Sequence, residues 1–184
     1  MDNEATIGKS TASRSTGEDL YRRHLRFGWW ALFVFLSLGI LLEIFHGLKI
    51  DWYMKVSNET RRLMLTLAHA HGALLSLVNI AFALTAQAVI GPHAASGKQV
   101  LASQFLKAST LLLPGGFFLG GVVIYGGDPG LGIFLVPIGG LTLLLAVGFF
   151  ASSLGKQNAG STGDAEPNQA SPAHKPAKKR KKRQ

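Results

Sequence analysis

The sequence predicts an all-α, polytopic membrane protein: a four-transmembrane-helix bundle with disordered tails. Two observations carry that reading. Of 184 residues, 47% are hydrophobic and only 16% are charged, and the two kinds are segregated. The charge gathers at the two ends, while the middle is a series of long apolar runs. Four such runs are visible, over about 27–48, 63–90, 100–125 and 131–154. Each supplies the roughly 20 residues that a helix rising 1.5 Å per residue needs to cross a hydrocarbon core of ~30 Å. Hydrocarbon offers the backbone no hydrogen-bond partner, so a spanning segment satisfies its own amides as a helix.

The domain division follows. Residues 1–26 form a polar N-terminal segment, 27–154 the membrane domain, and 155–184 a basic tail. The first run is too long for a signal peptide, and "LLEIFHGLKI" is a poor cleavage site. It is therefore expected to stay as a span. The chain has no cysteine, which excludes disulfides, zinc–thiolate sites and Cys-ligated iron–sulfur clusters. "IGKSTAS" near the N-terminus lacks the upstream glycine of a phosphate loop, Asn3 standing there, and has no strand before it.

Orientation follows from basic residues beside the spans. Arg22, Arg23 and Arg26 precede span one, with Trp29 and Trp30 placed for the interfacial belt. Lys98 and Lys107 flank the connection between spans two and three, and the chain ends "KPAKKRKKRQ". With four spans all of these share one side. The opposite loop offsets Lys49, Lys55, Arg61 and Arg62 with Asp51 and Glu59. Both termini are therefore expected in the cytoplasm and the chain in the cell membrane. The basic cluster Lys178, Lys179, Arg180, Lys181, Lys182 and Arg183 would determine topology and attract anionic lipid. Nucleic acid is not expected there, because no folded binding module or aromatic interleaving accompanies the charge.

Packing between spans rests on small residues. Span three reads "LLLPGGFFLGGVVIYGG", in which Gly116 and Gly120 form a GxxxG pair that lets helix backbones approach. Pro114 is expected to kink this span near its middle. In "GGDPG", Asp128 is expected to cap the fourth helix, with Pro129 at its first position. Such spans suit a non-enzymatic subunit, a homo-oligomer or a small transporter as well as a redox protein.

Ionisable residues inside the spans are the functional candidates, because burying them in lipid is costly. Glu43 lies roughly 8 Å from the outer end of span one, and His46 nearer the surface. His69 lies roughly 10 Å into span two from the same side, with His71 a little deeper. Glu43, His46 and His69 thus meet at one level and form a candidate metal site. Glu43 and His46, three apart, share a face. His69 and His71, two apart, point about 200° from each other and cannot grip one ion from one helix. The stripe of His69 continues through Gly72, Ser76, Ala83 and Gln87, with Asn79 at its edge, and is expected to face the bundle. His69 itself admits three roles: donor to a neighbouring helix, haem or metal ligand, and proton carrier. His24 and His93 fall at the other side of the membrane, away from this cluster.

"LAHAHGALLSLVNIAF" resembles the AHAH signature of small bacterial four-helix membrane proteins related to subunit I of the haem–copper oxidases of cbb3 and nitric oxide reductase type. The resemblance covers mainly span two. It implies haem as cofactor, with His69 and His71 as iron ligands on opposite helix faces. The departures are that Gly72 stands where leucine is usual, that four spans replace about twelve, and that the copper-site histidines have no counterpart. What the resemblance then implies is haem binding or a regulatory role rather than oxygen reduction by this chain alone.

Overall fold

The computed structural model describes the backbone over residues 2–55, 59–90 and 95–160, and the side chains over 18–55, 59–89 and 95–154. The predicted basic cluster Lys178 to Arg183, His93 and residues 161–184 of the tail expected to be disordered lie outside the described residues; residues 155–160 instead continue the last helix, because no proline interrupts them. In chain order come α1 (Asp2–Gly47), α2 (Asp51–Met54), α3 (Glu59–Ile90), α4 (Gly97–Val122), an antiparallel pair β1 (Ile124–Tyr125) and β2 (Asp128–Pro129), a 3-10 turn (Leu131–Phe134) and α5 (Leu135–Gly160). Four stretches are long and apolar enough to cross a membrane: Glu18–Gly47, Glu59–Val89, Gly97–Val122 and Leu131–Leu154. The architecture is an all-α bundle of membrane-protein type.

Several element ends differ from the sequence expectation, each for a local reason. α1 extends well before residue 27, because no proline interrupts residues 2–26 and polar side chains do not by themselves end a helix. α4 begins at Gly97, where Ser96 builds a capping box: its hydroxyl accepts from the Gln99 amide, and Gln99 Oε1 accepts from the Ser96 amide at 2.7 Å. α4 then runs uninterrupted through the buried Pro114 and ends at Val122.

Asp128 does not cap a helix. Gly126 and Gly127 both adopt positive φ, 59° and 97°, and Ile124 and Tyr125 pair with Pro129 and Asp128. That is the type I′ reversal that consecutive glycines favour. Asp128 lies exposed in β2, and the 3-10 turn that follows starts from Gly130 without a side-chain cap. Thr60 ties this hairpin to the start of α3 by donating to the Gly127 carbonyl at 2.7 Å.

The long helices run alternately up and down and pack as α1 on α3, α3 on α4, and α4 on α5. Of the most apolar stretch of each, 44% is buried in α3 and α4 but only 11% in α1 and in α5. The middle pair therefore forms the core, and the outer pair leaves an apolar surface uncovered that is compatible with lipid contact. The terminal face carries the start of α1 and the end of α5; the hairpin face carries α2 and the β-turn. Near the terminal face, Phe82, Ala102, Leu106 and Ala146 make the largest apolar cluster. Phe82 also meets Phe150 at 4.6 Å, which brings α5 against α3. Near the hairpin face, Leu42 and Leu65 close over the buried Tyr53 of α2.

The two glycines of the GxxxG pair are not equivalent. A Cβ on Gly116 would stand 2.9 Å from Val136 Cγ2 and 3.0 Å from the Gly132 carbonyl and the Val136 amide nitrogen. A Cβ on Gly120 would meet nothing closer than 3.6 Å. Gly116→Ala is expected to cost about 1–3 kcal/mol through overpacking, and Gly120→Ala to stay within ~0.5 kcal/mol. Thermal unfolding of the two variants in detergent micelles measures the difference, and equal melting points would refute the asymmetry.

Candidate functional site

The residues singled out by sequence divide between two places. At the hairpin face, α1 and α3 leave a crevice of ≈ 660 Å³ between them, lined by Leu36, Gly39, Ile40, Glu43, Thr66 and His69 among others. Its deep end is fixed by an interlock of small residues and rings. The His69 imidazole lies across Gly39 of α1, with Nδ1 2.6 Å and Nε2 2.9 Å from where a Cβ would be. The Phe35 ring in turn lies against Gly72 of α3. Without a side chain at position 39, the Phe35 carbonyl one turn earlier is accessible, and His69 Nδ1 donates to it at 2.8 Å. A carbonyl only accepts, so Nδ1 carries a proton, which leaves Nε2 as the ring nitrogen without a hydrogen-bond partner among the described residues. Phe35, Gly39 and Glu43 follow at intervals of four on one stripe of α1.

Glu43 lines the same crevice as His69 but is exposed, and among the described residues it has no hydrogen-bond or ion-pair partner. His46 belongs to the mouth, a second hollow of ≈ 660 Å³ shared with Glu43, Tyr53, Glu59, Thr60, Arg62 and Thr66. Arg62 and Glu59 there form an ion pair at 3.9 Å. Among the described residues no three His, Asp or Glu side chains are gathered closely enough to hold a metal ion. Glu43, His46 and His69 share a level, but His69 is held down on Gly39 while His46 stands at the rim. His71 faces the other way, as its spacing from His69 requires. Its Nδ1 donates to the Leu67 carbonyl of its own helix at 2.9 Å, and its ring lies 5.0 Å from Phe117 of α4.

The second place was missed by the sequence reading. His24 is fully buried, with 0% exposure, in the seam where α1, α3 and α4 meet. Its Nδ1 lies 2.9 Å from the Ser103 hydroxyl of α4, and its ring is 4.7 Å from Phe82 of α3. The equally buried Asn79 sits beside it. Asn79 Nδ2 donates to the Thr110 hydroxyl of α4 at 2.7 Å and to the Leu75 carbonyl, and Thr110 donates on to the Leu106 carbonyl. His24 Nε2 and Asn79 Oδ1 are both buried without a direct partner. In a neutral His24 protonated on Nε2, Nδ1 accepts from the Ser103 hydroxyl. Two separate interhelical links result, His24 to Ser103 between α1 and α4 and Asn79 to Thr110 between α3 and α4. No family model, no curated protein and no solved structure matches the chain. The two sites are therefore judged on their chemistry alone.

The missed signal was helical periodicity. Tyr21, His24, Gly28, Phe35, Gly39 and Leu42 recur at three, four or seven residues, and that stripe starts before the apolar run does. The companion stripe on α3 is buried at Gly72, Ser76, Asn79 and Ala83, whereas Gln87 is exposed rather than facing the bundle.

The two places differ in chemical capacity. The His24 seam joins helices through His24–Ser103 and Asn79–Thr110 and suits helix clamping. The crevice keeps one imidazole nitrogen, one carboxylate and a threonine in an apolar slot with a polar mouth, and so suits an amphipathic ligand.

Proposed function

We propose that this chain is an integral membrane protein that binds an amphipathic redox cofactor, haem, in the crevice between α1 and α3, with His69 Nε2 as iron ligand. The observation that carries the reading is the hydrogen bond from His69 Nδ1 to the Phe35 carbonyl. A ligating histidine ordinarily donates its other ring N–H to a carbonyl or carboxylate, which fixes the tautomer and raises the basicity of the ligating nitrogen. Leu36, Ile40 and Ile44 supply the apolar walls of the crevice, and His46 and Arg62 stand at its polar mouth. Bound haem would supply one-electron chemistry; the chain would hold it, keep water from its apolar faces and place Glu43 beside it as a proton acceptor. His71 has the same Nδ1 arrangement on the α4 side.

An absorption spectrum tests this, taken on the detergent-solubilised protein as purified and during titration with haemin. A Soret band that is lost in His69→Ala and kept in His46→Ala is expected. A protein that stays colourless at saturating haemin, or a band indifferent to His69→Ala, refutes the reading.

A second reading, a non-enzymatic subunit of a larger membrane assembly, is favoured by the exposure of α1 and α5. Side chains such as Phe33, Ile40, Leu141 and Leu144 are mostly uncovered on them. A stoichiometric partner retained through mild-detergent purification supports it.

The proposed location is the cell membrane with both termini cytoplasmic, because Arg22, Arg26 and Lys98 lie at the terminal face. The chain lacks cysteine and Asp128 is exposed. A single Asp128→Cys in intact cells is therefore expected to react with an impermeant maleimide added outside. Labelling only after lysis reverses the orientation.

A further inference from the structure

The crevice and the His24 seam leave one built feature of α1 unused, on the side turned away from the bundle. Arg22 and Arg26 are four apart, so they share a face with their Cα atoms ~6 Å apart along the axis. Trp30 continues the same stripe one turn further, and Phe33 follows it. Arg22, Arg26, Trp29, Trp30 and Phe33 are joined by Leu25 around one hollow of ≈ 510 Å³. Trp30 and Phe33 meet edge to face at 5.9 Å, which gives the hollow a fixed apolar wall.

We propose that this face of α1 is a binding site for one anionic phospholipid, its phosphate held by Arg22 and Arg26 and its upper acyl chain lying along Trp30 and Phe33.

Three observations carry the assignment. Both guanidinium groups are exposed, and neither has an ion-pair partner among the described residues, although Glu18 stands one turn before Arg22. Arg23, between them in sequence, lies about 100° round the helix from Arg22 and does not line the hollow. The paired arginines thus belong to the lipid side by helix geometry rather than as part of a diffuse basic ring. Finally, polarity along the stripe matches a phospholipid end to end. Charge comes first, at the terminal face, then two indoles at interfacial depth, then Phe33 and the exposed Leu36 toward the bilayer centre. Arginine offers phosphate a planar fork of donors that lysine does not, and tryptophan settles at the headgroup level. The site is distinct from the basic cluster of the tail and independent of any cofactor in the crevice.

Tryptophan fluorescence provides the test. The chain has three tryptophans, and Trp52 lies at the opposite face, so Trp52→Phe leaves Trp29 and Trp30 as reporters. The full-length protein is reconstituted in phosphatidylcholine vesicles containing a minor fraction of brominated phosphatidylglycerol or, in parallel, brominated phosphatidylcholine. The dependence of quenching on brominated fraction is expected to favour the anionic lipid by roughly fivefold or more, the equivalent of at least one basic residue near a charged headgroup. Arg22→Gln/Arg26→Gln is expected to bring the ratio close to one. Neutralising Lys178 to Arg183 with glutamine is expected to leave it unchanged. Equal quenching by the two lipids overturns the proposal. So does a preference that survives the double arginine variant, and so does one that disappears with the tail charges alone.

Discussion

Gly39→Val is expected to be among the most damaging single substitutions in the chain, lowering stability by about 2–4 kcal/mol. The position is the notch in α1 that receives the His69 ring, and a Cβ there would lie 2.6 Å from Nδ1 and 2.9 Å from Nε2. Real side chains do not approach so closely, so the ring must leave or the helices must part. Overpacking of this kind costs about 1–3 kcal/mol. Displacing the ring also breaks the Nδ1 bond to the Phe35 carbonyl, and interhelical hydrogen bonds in membranes average about 0.6 kcal/mol. Two controls make the prediction specific. A Cβ on Gly47, in the same helix, meets no atom within 4 Å, so Gly47→Val is expected to change stability by no more than ~0.5 kcal/mol. Adding His69→Ala to Gly39→Val empties the notch, so the double variant is expected to melt above the single. If it melts lower, the notch is not where the damage arises. The same substitution should abolish haem uptake, because it evicts the nitrogen proposed as ligand.

Breaking the three-helix seam is the second large effect. His24→Leu and Asn79→Leu are each expected to cost about 1–3 kcal/mol, since each strands a buried polar partner. His24→Leu leaves the buried Ser103 hydroxyl without the imidazole. Asn79→Leu removes the bonds to Thr110 and Leu75 and sets an apolar side chain beside the buried His24. Once one member is gone, losing the other costs less. The double variant should therefore be more stable than the sum of the singles predicts, by about 0.5–3 kcal/mol. Stability measured in micelles over the complete cycle gives that coupling directly; strict additivity would show that the two side chains do not act as a unit. Ser103→Ala is expected to be milder, because it removes one donor to Nδ1 and leaves the Asn79 arm intact.

The division between what was readable and what was not has a physical basis. Four long helices follow from hydropathy, because the backbone of an apolar run has one economical form in lipid. The opposed directions of His69 and His71 follow from the 100° step of a helix, and they meet Phe35 of α1 and Phe117 of α4 respectively. Asp128 misled because an aspartate before a proline fits a helix cap as well as a strand. The two preceding glycines, free to adopt positive φ, decided for a β-turn. The burial of His24 was missed because average hydropathy, which marks where an apolar run starts, does not register one buried polar side chain at the head of a helix.

From sequence alone, the chain was expected to form a bundle of four helices long and apolar enough to cross a membrane, with ionisable residues at one level of the first two. Hydropathy, helical rise and helical twist are local properties and need no knowledge of neighbours. Which polar atoms meet was decided only by the tertiary structure. Gly39 opposite His69, Gly72 opposite Phe35, and His24 between Ser103 and Asn79 depend on the register of one helix against another. That register is set by where a missing side chain lets two backbones close, a property of the pair and of neither helix by itself.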